Sequence, residues 1–273
     1  MFIMASRALA VWLFAILSLL LDTSMVLGRK GKITRPYTIP EEEPEVDNPL
    51  GVKVDYAFAA QDLGGGNLGS HYWMASSFLT FAEGTTLSDG QILKLAIDAW
   101  GEIDPAFDAY NALVVTPTVM TAMAFDNKVI LVTSQRGFRS YSYKAAEATE
   151  EVSIALEKCY KRARSTQPEG TPEKELKHIN EAMCGEVMAA HLYYKRNKTP
   201  LNEKEARAVT VWTTDEVTKW KKPCPQDDDG KRWGCTQFGE TAGINFIAEA
   251  TTEEDYPEIV EIDQIRMCEA LAE

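Results

Sequence analysis

Three of the five cysteines in this 273-residue chain stand in a pattern that limits how it can fold. Cys184-Gly185-Glu186 is followed, forty residues after Cys184, by Pro223-Cys224 and then by Cys235. Thiolates are soft ligands suited to zinc, and three of them with a fourth position open make the donor set of a catalytic ion. A carboxylate two residues beyond the first thiolate can move protons without occupying the metal. A fold that uses this pattern must bring positions 184, 224 and 235 together, so the chain between them has to cross the core and return.

Arg7, an almost wholly apolar run over 8–21, and Val26-Leu27-Gly28 read as a secretory signal peptide, residues 1–28, cut near Gly28. The apolar run is shorter than the ~20 residues a spanning helix needs. The expected location is therefore secreted and extracellular, with no membrane association after cleavage. Residues 29–50 are polar and proline-bearing, with Glu41, Glu42, Glu43, Glu45 and Asp47 clustered, and read as a disordered linker or pro-segment. Residues 51–273 then make one domain. The formal charge is −13, and Arg7 and Asp22 cancel within 1–28, so the mature chain keeps −13. Such a surface disfavours duplex nucleic acid, whose affinity comes mainly from Lys and Arg on phosphates. A small ligand stays open, as does a basic groove inside an acidic whole.

Ser88 caps an expected helix over 89–100, with Ile92, Leu95, Ala96, Ala99 and Trp100 on one face. Two apolar, β-branched runs over 119–125 and 128–133, joined by Asp126-Asn127, predict a β-hairpin. An amphipathic helix follows over 145–164. Thr171-Pro172-Glu173 is a capping hydroxyl, a first-turn proline and an acid, and predicts a helix start there. A strand over 208–213, a helical turn opened by Cys235, a strand over 244–247 and a terminal helix from Tyr256 complete the pass. The fold class is α/β, a single mixed sheet with helices packed on it.

With its order of hairpin, Cys-x-Glu helix, strand and Pro-Cys turn, the chain resembles the zinc-dependent cytidine deaminase-like superfamily, most of all its secreted, toxin-type and fungal members. The resemblance covers roughly residue 88 to the C-terminus. It implies that Cys184, Cys224 and Cys235 hold Zn2+ and that Glu186 is the proton shuttle. The implied function is a secreted hydrolase that deaminates a nucleobase-containing substrate through a zinc-activated water, a small nucleobase or nucleoside first of all. The thiolates are spaced Cys-x10-Cys, where the family pattern is Cys-x2-Cys; a longer loop also occurs in its riboflavin-pathway members. The family sets the first ligand in the first turn of its helix, so a break near 177–180 is needed after the Thr171-Pro172 start.

Three metal ligands leave Cys159 and Cys268, which then form a disulfide; the rival count is two disulfides and a spare thiol. The alternative function is a non-catalytic, disulfide-stabilised secreted effector or interaction protein, with Cys184 paired to Cys159 or Cys224. His178 and His191 read as ordinary polar positions. Trp212, Trp220 and Trp233 flank the motif strands and read as core or rim packing, with stacking on a base as the alternative. Asn197-Lys198-Thr199 is a glycosylation pattern followed by Pro200.

Overall fold

The protein is described here by a computed structural model covering residues 36–268 apart from 62, 138, 147, 215–216 and 228–231. Residues 1–28, the 29–35 stretch of the expected linker and residues 269–273 lie outside the described residues. Among the described residues, no helix is long and apolar enough to cross a membrane.

The elements in chain order are β1 (Lys53–Val54), α1 (Tyr56–Ala59), β2 (Ala75–Phe81), α2 (Asp89–Trp100), α3 (Ile103–Asp108), β3 (Val119–Phe125), β4 (Lys128–Thr133), α4 (Tyr141–Lys144), α5 (Glu150–Thr166), α6 (Gly185–Arg196), β5 (Arg207–Thr214), β6 (Val217–Lys221), α7 (Cys235–Ala242), β7 (Asn245–Phe246) and β8 (Ile259–Asp263). They build one mixed sheet in the order β1-β2-β4-β3-β5-β6, with β8 added to β2 and β7 added parallel to β5. The α/β class and the single mixed sheet are as the sequence implies.

The sheet is covered on both faces. Side chains alternate along a strand, so Thr121 and Thr210, which face each other across β3 and β5, share one face. Arg207 is an odd number of residues from Thr210 and points the other way, to the Asp89 carboxylate at the start of α2. Thus α2 lies on one face and α6 on the other, with α5 and α7 packed beside α6. Every residue of β3 is buried, as expected of a central strand covered on both sides. The α2 start is the expected one: Ser88 accepts from the Gln91 N–H and the Gln91 side chain returns the bond.

Two expectations fail here. The terminal helix from Tyr256 is instead strand β8, paired antiparallel with β2. Ile259, Ile262 and Ile265 imitate a helical spacing, but the run is β-branched and β2 offers it a free edge. The helix expected from Thr171-Pro172 is a single 3-10 turn over Glu173–Glu175. Regular helix resumes only at Gly185, after Glu181 and Ala182 in left-handed backbone conformation (φ 53° and 56°).

The C-terminal segment is tied to the front of the domain by a buried carboxylate. Asp55 caps α1 by accepting from the Phe58 N–H, and its other oxygen accepts from the Met267 N–H at 2.6 Å. Burial pushes the Asp55 carboxyl up to about 6, against these two hydrogen bonds. The unfolded chain releases this proton near 4 and the folded protein near 6, so the folded state holds the extra proton between those values. Stability is therefore lost as pH rises through this window, by on the order of 3 kcal/mol from this group. In urea unfolding, the stability of wild type relative to Asp55→Asn should fall by that order between pH 4 and 6.5. A difference that stays flat across the window would refute the assignment.

Candidate metal centre

Cys184 is the N-cap of α6, and Cys235 is the first residue of α7. Cys224 lies on the segment that leaves β6, beside α7: the Cys235 N–H donates to its Sγ at 3.1 Å. Two glycines permit this convergence. A Cβ at Gly185 would fall on the Thr121 hydroxyl, and one at Gly234 would fall on the carbonyl oxygens of Cys224 and Pro225. Gly185 thus lets the α6 N-terminus lie directly on β3, and Gly234 lets the Cys235 turn close on the Cys224 segment. The break that the motif required is present: the ligand opens the helix, where the N-terminal partial charge favours a thiolate.

The Cys184 and Cys224 sulfurs are 3.8 Å apart. Sulfurs bound tetrahedrally to one zinc at about 2.3 Å lie about 3.8 Å from each other, so this pair fits such an ion. Cys235 is fully buried, while Cys184 and Cys224 are partly exposed. The hydrogen bond between Cys184 and Cys224 holds the Cys184 thiol well above the usual range and Cys224 well below it; Cys235 and His178 also donate toward Cys224. Burial keeps the Cys235 thiol high. Cys224 is the thiolate around which the group is organised.

His178 belongs to this group, contrary to its reading as an ordinary polar position. It is fully buried, and its Nε2 lies 3.4 Å from Cys235 Sγ and 3.8 Å from Cys224 Sγ. The donor atoms of His178, Cys184, Cys224 and Cys235 all lie within 4.8 Å of one another and could hold a metal ion such as zinc. The other ring nitrogen restricts how His178 takes part. Nδ1 faces the Asn180 backbone N–H at 3.0 Å and accepts from it. A neutral imidazole that accepts at Nδ1 carries its proton on Nε2. In this geometry Nε2 donates to sulfur, and it can ligate only if the Asn180 bond is given up. The loop that presents His178 is fixed by Trp233, whose Nε1 donates to Leu176 O at 2.8 Å and whose carbonyl accepts from Ile179 N at 2.7 Å. The Trp233 ring stands edge-on to the imidazole, so Trp233 is core packing, one of the readings given to it.

Glu186 is in the first turn of α6 and is 4 % exposed. Thr210 donates to its Oε1 at 2.9 Å and is itself hydrogen-bonded to Thr121 at 2.7 Å. Its Oε2 lies 3.4 Å from Cys235 Sγ. Burial raises its pKa from the ordinary carboxylate value. The sequence motif therefore brings Cys184, Glu186, Cys224 and Cys235 into one cluster. The sequence reading missed His178, Thr210 and Thr121. His178 precedes Cys184 by six residues in a segment expected to be helix, which hid it.

Cys159 and Cys268 do not form the expected disulfide. Among the described residues no disulfide is present; Cys159 Sγ contacts the Thr241 hydroxyl at 3.2 Å on α7, and the Gln61 side chain donates to Cys268 Sγ at 2.7 Å. Each sulfur is satisfied by a different neighbour. His191 is also buried, between Ser142 (3.0 Å) and Thr149 (2.8 Å), and burial lowers its pKa to about 3. It is a neutral core tether away from the cluster.

Metal analysis of gel-filtered protein should find about one zinc per chain in wild type and in His178→Ala, and far less than one in Cys224→Ser. In a chelator competition, His178→Ala and Gly185→Ala should each weaken zinc by roughly 10–100-fold, the usual cost of disturbing the groups that support metal ligands. Unchanged affinity in both would separate the cluster from metal binding.

No protein-family model, curated protein or solved structure matches this chain, so the case for its chemistry rests on the cluster itself.

Proposed function

We propose that the protein is a zinc-dependent hydrolase that deaminates a nucleobase-containing substrate. The observation that carries this reading is the buried Glu186, held by Thr210 with one oxygen 3.4 Å from Cys235 Sγ. A structural metal site has no use for a buried carboxylate that is not a ligand, and burying one is costly. The order of hairpin β3–β4, Cys-x-Glu helix α6, strand β5, Pro-Cys and helix α7 supports a deaminase-like arrangement. So does the neighbour order β4-β3-β5 with β7 parallel to β5.

Zinc held by Cys184, Cys224 and Cys235 would act as a Lewis acid and lower the pKa of a water. The residues supply the rest. Glu186, with its affinity for protons raised by burial, accepts a proton from the attacking water and returns one to the leaving amine. The products are a carbonyl on the ring and ammonia, so water is the only co-reactant. Thr210, backed by Thr121, fixes one carboxylate oxygen and leaves the other facing the thiolates. His178 donates a hydrogen bond toward the sulfurs of Cys224 and Cys235. Secretion belongs to the same proposal and rests on residues 1–28; N-terminal sequencing of the exported protein tests it.

A second reading is favoured by one distance. The 3.4 Å from His178 Nε2 to Cys235 Sγ also suits a closed Cys3His structural site. Replacing zinc by cobalt separates the two. In the open site the visible bands of the cobalt protein stay unchanged in His178→Ala; in the closed site they shift, because a ligand has been lost.

Glu186→Gln should retain one zinc and the fold while losing at least ~10²–10⁴-fold in ammonia release, since both proton transfers depend on the carboxylate. The screen runs over cytosine, adenine and guanine bases and their nucleosides and nucleotides. Full activity in Glu186→Gln on any deaminated substrate would refute the mechanism, and loss of zinc would refute the role of Glu186 as a non-ligand.

A further inference from the structure

We propose that the β5–β6 hairpin carries a base-stacking and phosphate-binding shelf at the mouth of the Glu186 site, so that the substrate is a nucleotide and carries its phosphate into the site. The chemistry performed there rests on the deaminase reading; the binding does not.

The argument begins with strand register. Thr210, which holds Glu186, is directly opposite Lys221 on β6, and Trp212 is directly opposite Lys219. Residues paired across a ladder point to the same face, and so do residues two apart on a strand. Thr210, Trp212, Lys219 and Lys221 therefore share the face on which Glu186 sits. Trp212 follows Thr210 by about 7 Å along the strand, in the direction that leaves the α6 N-terminus. Lys222 and Pro223 then lead directly into Cys224. The shelf and the metal-ligand segment are thus continuous in chain and in space.

The shelf combines positive charge with an exposed aromatic face. The whole chain carries −13, yet Lys219, Lys221 and Lys222 fall within four residues. The acidic pair at 215–216 lies outside the described residues. Trp73 and Trp233 are buried and Trp220 is spent on the Ile247 carbonyl at 3.1 Å, whereas Trp212 is 37 % exposed. The Lys221 ammonium lies 4.3 Å from the centre of the Trp212 ring. An exposed cation–π contact is weaker than stacking of a base on an aromatic ring. A base can therefore take the indole face while the flexible lysine stem swings its charge to the neighbouring phosphate. An uncharged base or nucleoside would gain the stack but leave the lysines without a partner. The shared chemistry is a base bearing a phosphate, which comes either from a free mononucleotide or from a single strand; a duplex hides the base faces that the shelf needs.

The test uses the zinc-loaded full chain carrying Glu186→Gln and a fluorescein-labelled 12-nucleotide single strand of mixed sequence, read by anisotropy. Competitors are the four mononucleotides, the four nucleosides and a matched duplex. Trp212→Ala should weaken binding about 5–100-fold. Lys219→Ala and Lys221→Ala should each weaken it and lower the salt slope by up to ~0.7. Lys161→Ala on α5, remote from the shelf, should change nothing. Displacement by mononucleotides at micromolar concentrations, but not by nucleosides, assigns the phosphate to a free nucleotide; displacement by single strands alone assigns it to a strand. If neither mononucleotides nor single strands bind, or if the Trp212 and lysine variants bind like the parent, the proposal is wrong. Ammonia release is read separately on the zinc-loaded chain with Glu186 intact: shelf-dependent binding without any deamination there would sink the catalytic reading and leave the shelf standing. Nucleoside deamination that is indifferent to Trp212→Ala would do the reverse.

Discussion

The contact between the α6 N-terminus and β3 is the constraint on which the site depends. Gly185 lies so close to Thr121 that no side chain fits between them. That contact lowers the first turn of α6 onto the sheet and so brings Glu186 within reach of Thr210. It also aims Cys184 along the sheet toward the Cys224 segment. Had the helix ridden higher on a side chain, the carboxylate would stand in solvent and the thiols would miss each other. One residue with no side chain thus sets the position of a clustered thiol on one side of it and a buried carboxylate on the other. The sheet beneath is fully buried at β3, and a close-packed interior of this kind does not yield to accommodate a bulkier residue.

The cluster also has to hold three sulfurs and a carboxylate in little space. The hydrogen-bond pattern handles the resulting charge by concentrating it on Cys224, which receives donors from two thiols, a backbone N–H and an imidazole. The imidazole is itself oriented by the Asn180 backbone amide from behind, so turning away costs it that hydrogen bond. Orientation of the histidine is therefore a property of the 176–183 loop, and the loop in turn is held by Trp233, two residues before Cys235.

Much of this was legible in the sequence where local rules act alone. The α2 helix, the β3–β4 hairpin and β5 fall within a residue or so of their expected bounds, because capping, turn and alternation signals agree there. The cysteine and glutamate positions converge as their motif implies. The unread parts depend on partners far away in the chain. β8 has a helical spacing of isoleucines and becomes a strand only because β2 has an edge to fill. The 176–183 segment carries a good helix start, and its course is decided instead by buried hydrogen bonds to Trp233. His178 could not be recognised while its segment was read as a helix, since a helical register would have pointed it elsewhere. The Cys159–Cys268 bond was a matter of counting, and counting carries no information about which way two side chains face.

The 176–183 loop has a consequence for how metal enters. It contains two non-glycine residues in left-handed conformation and no regular secondary structure, while the strands beneath it are buried throughout. Segments of this kind open locally at a fraction of the global unfolding cost. Cys184, which follows the loop, and Cys224 are the two partly exposed thiols, while Cys235 is buried. A metal ion held here would exchange at a rate set by how readily the hydrogen bonds to Trp233 let this loop open over the buried strands.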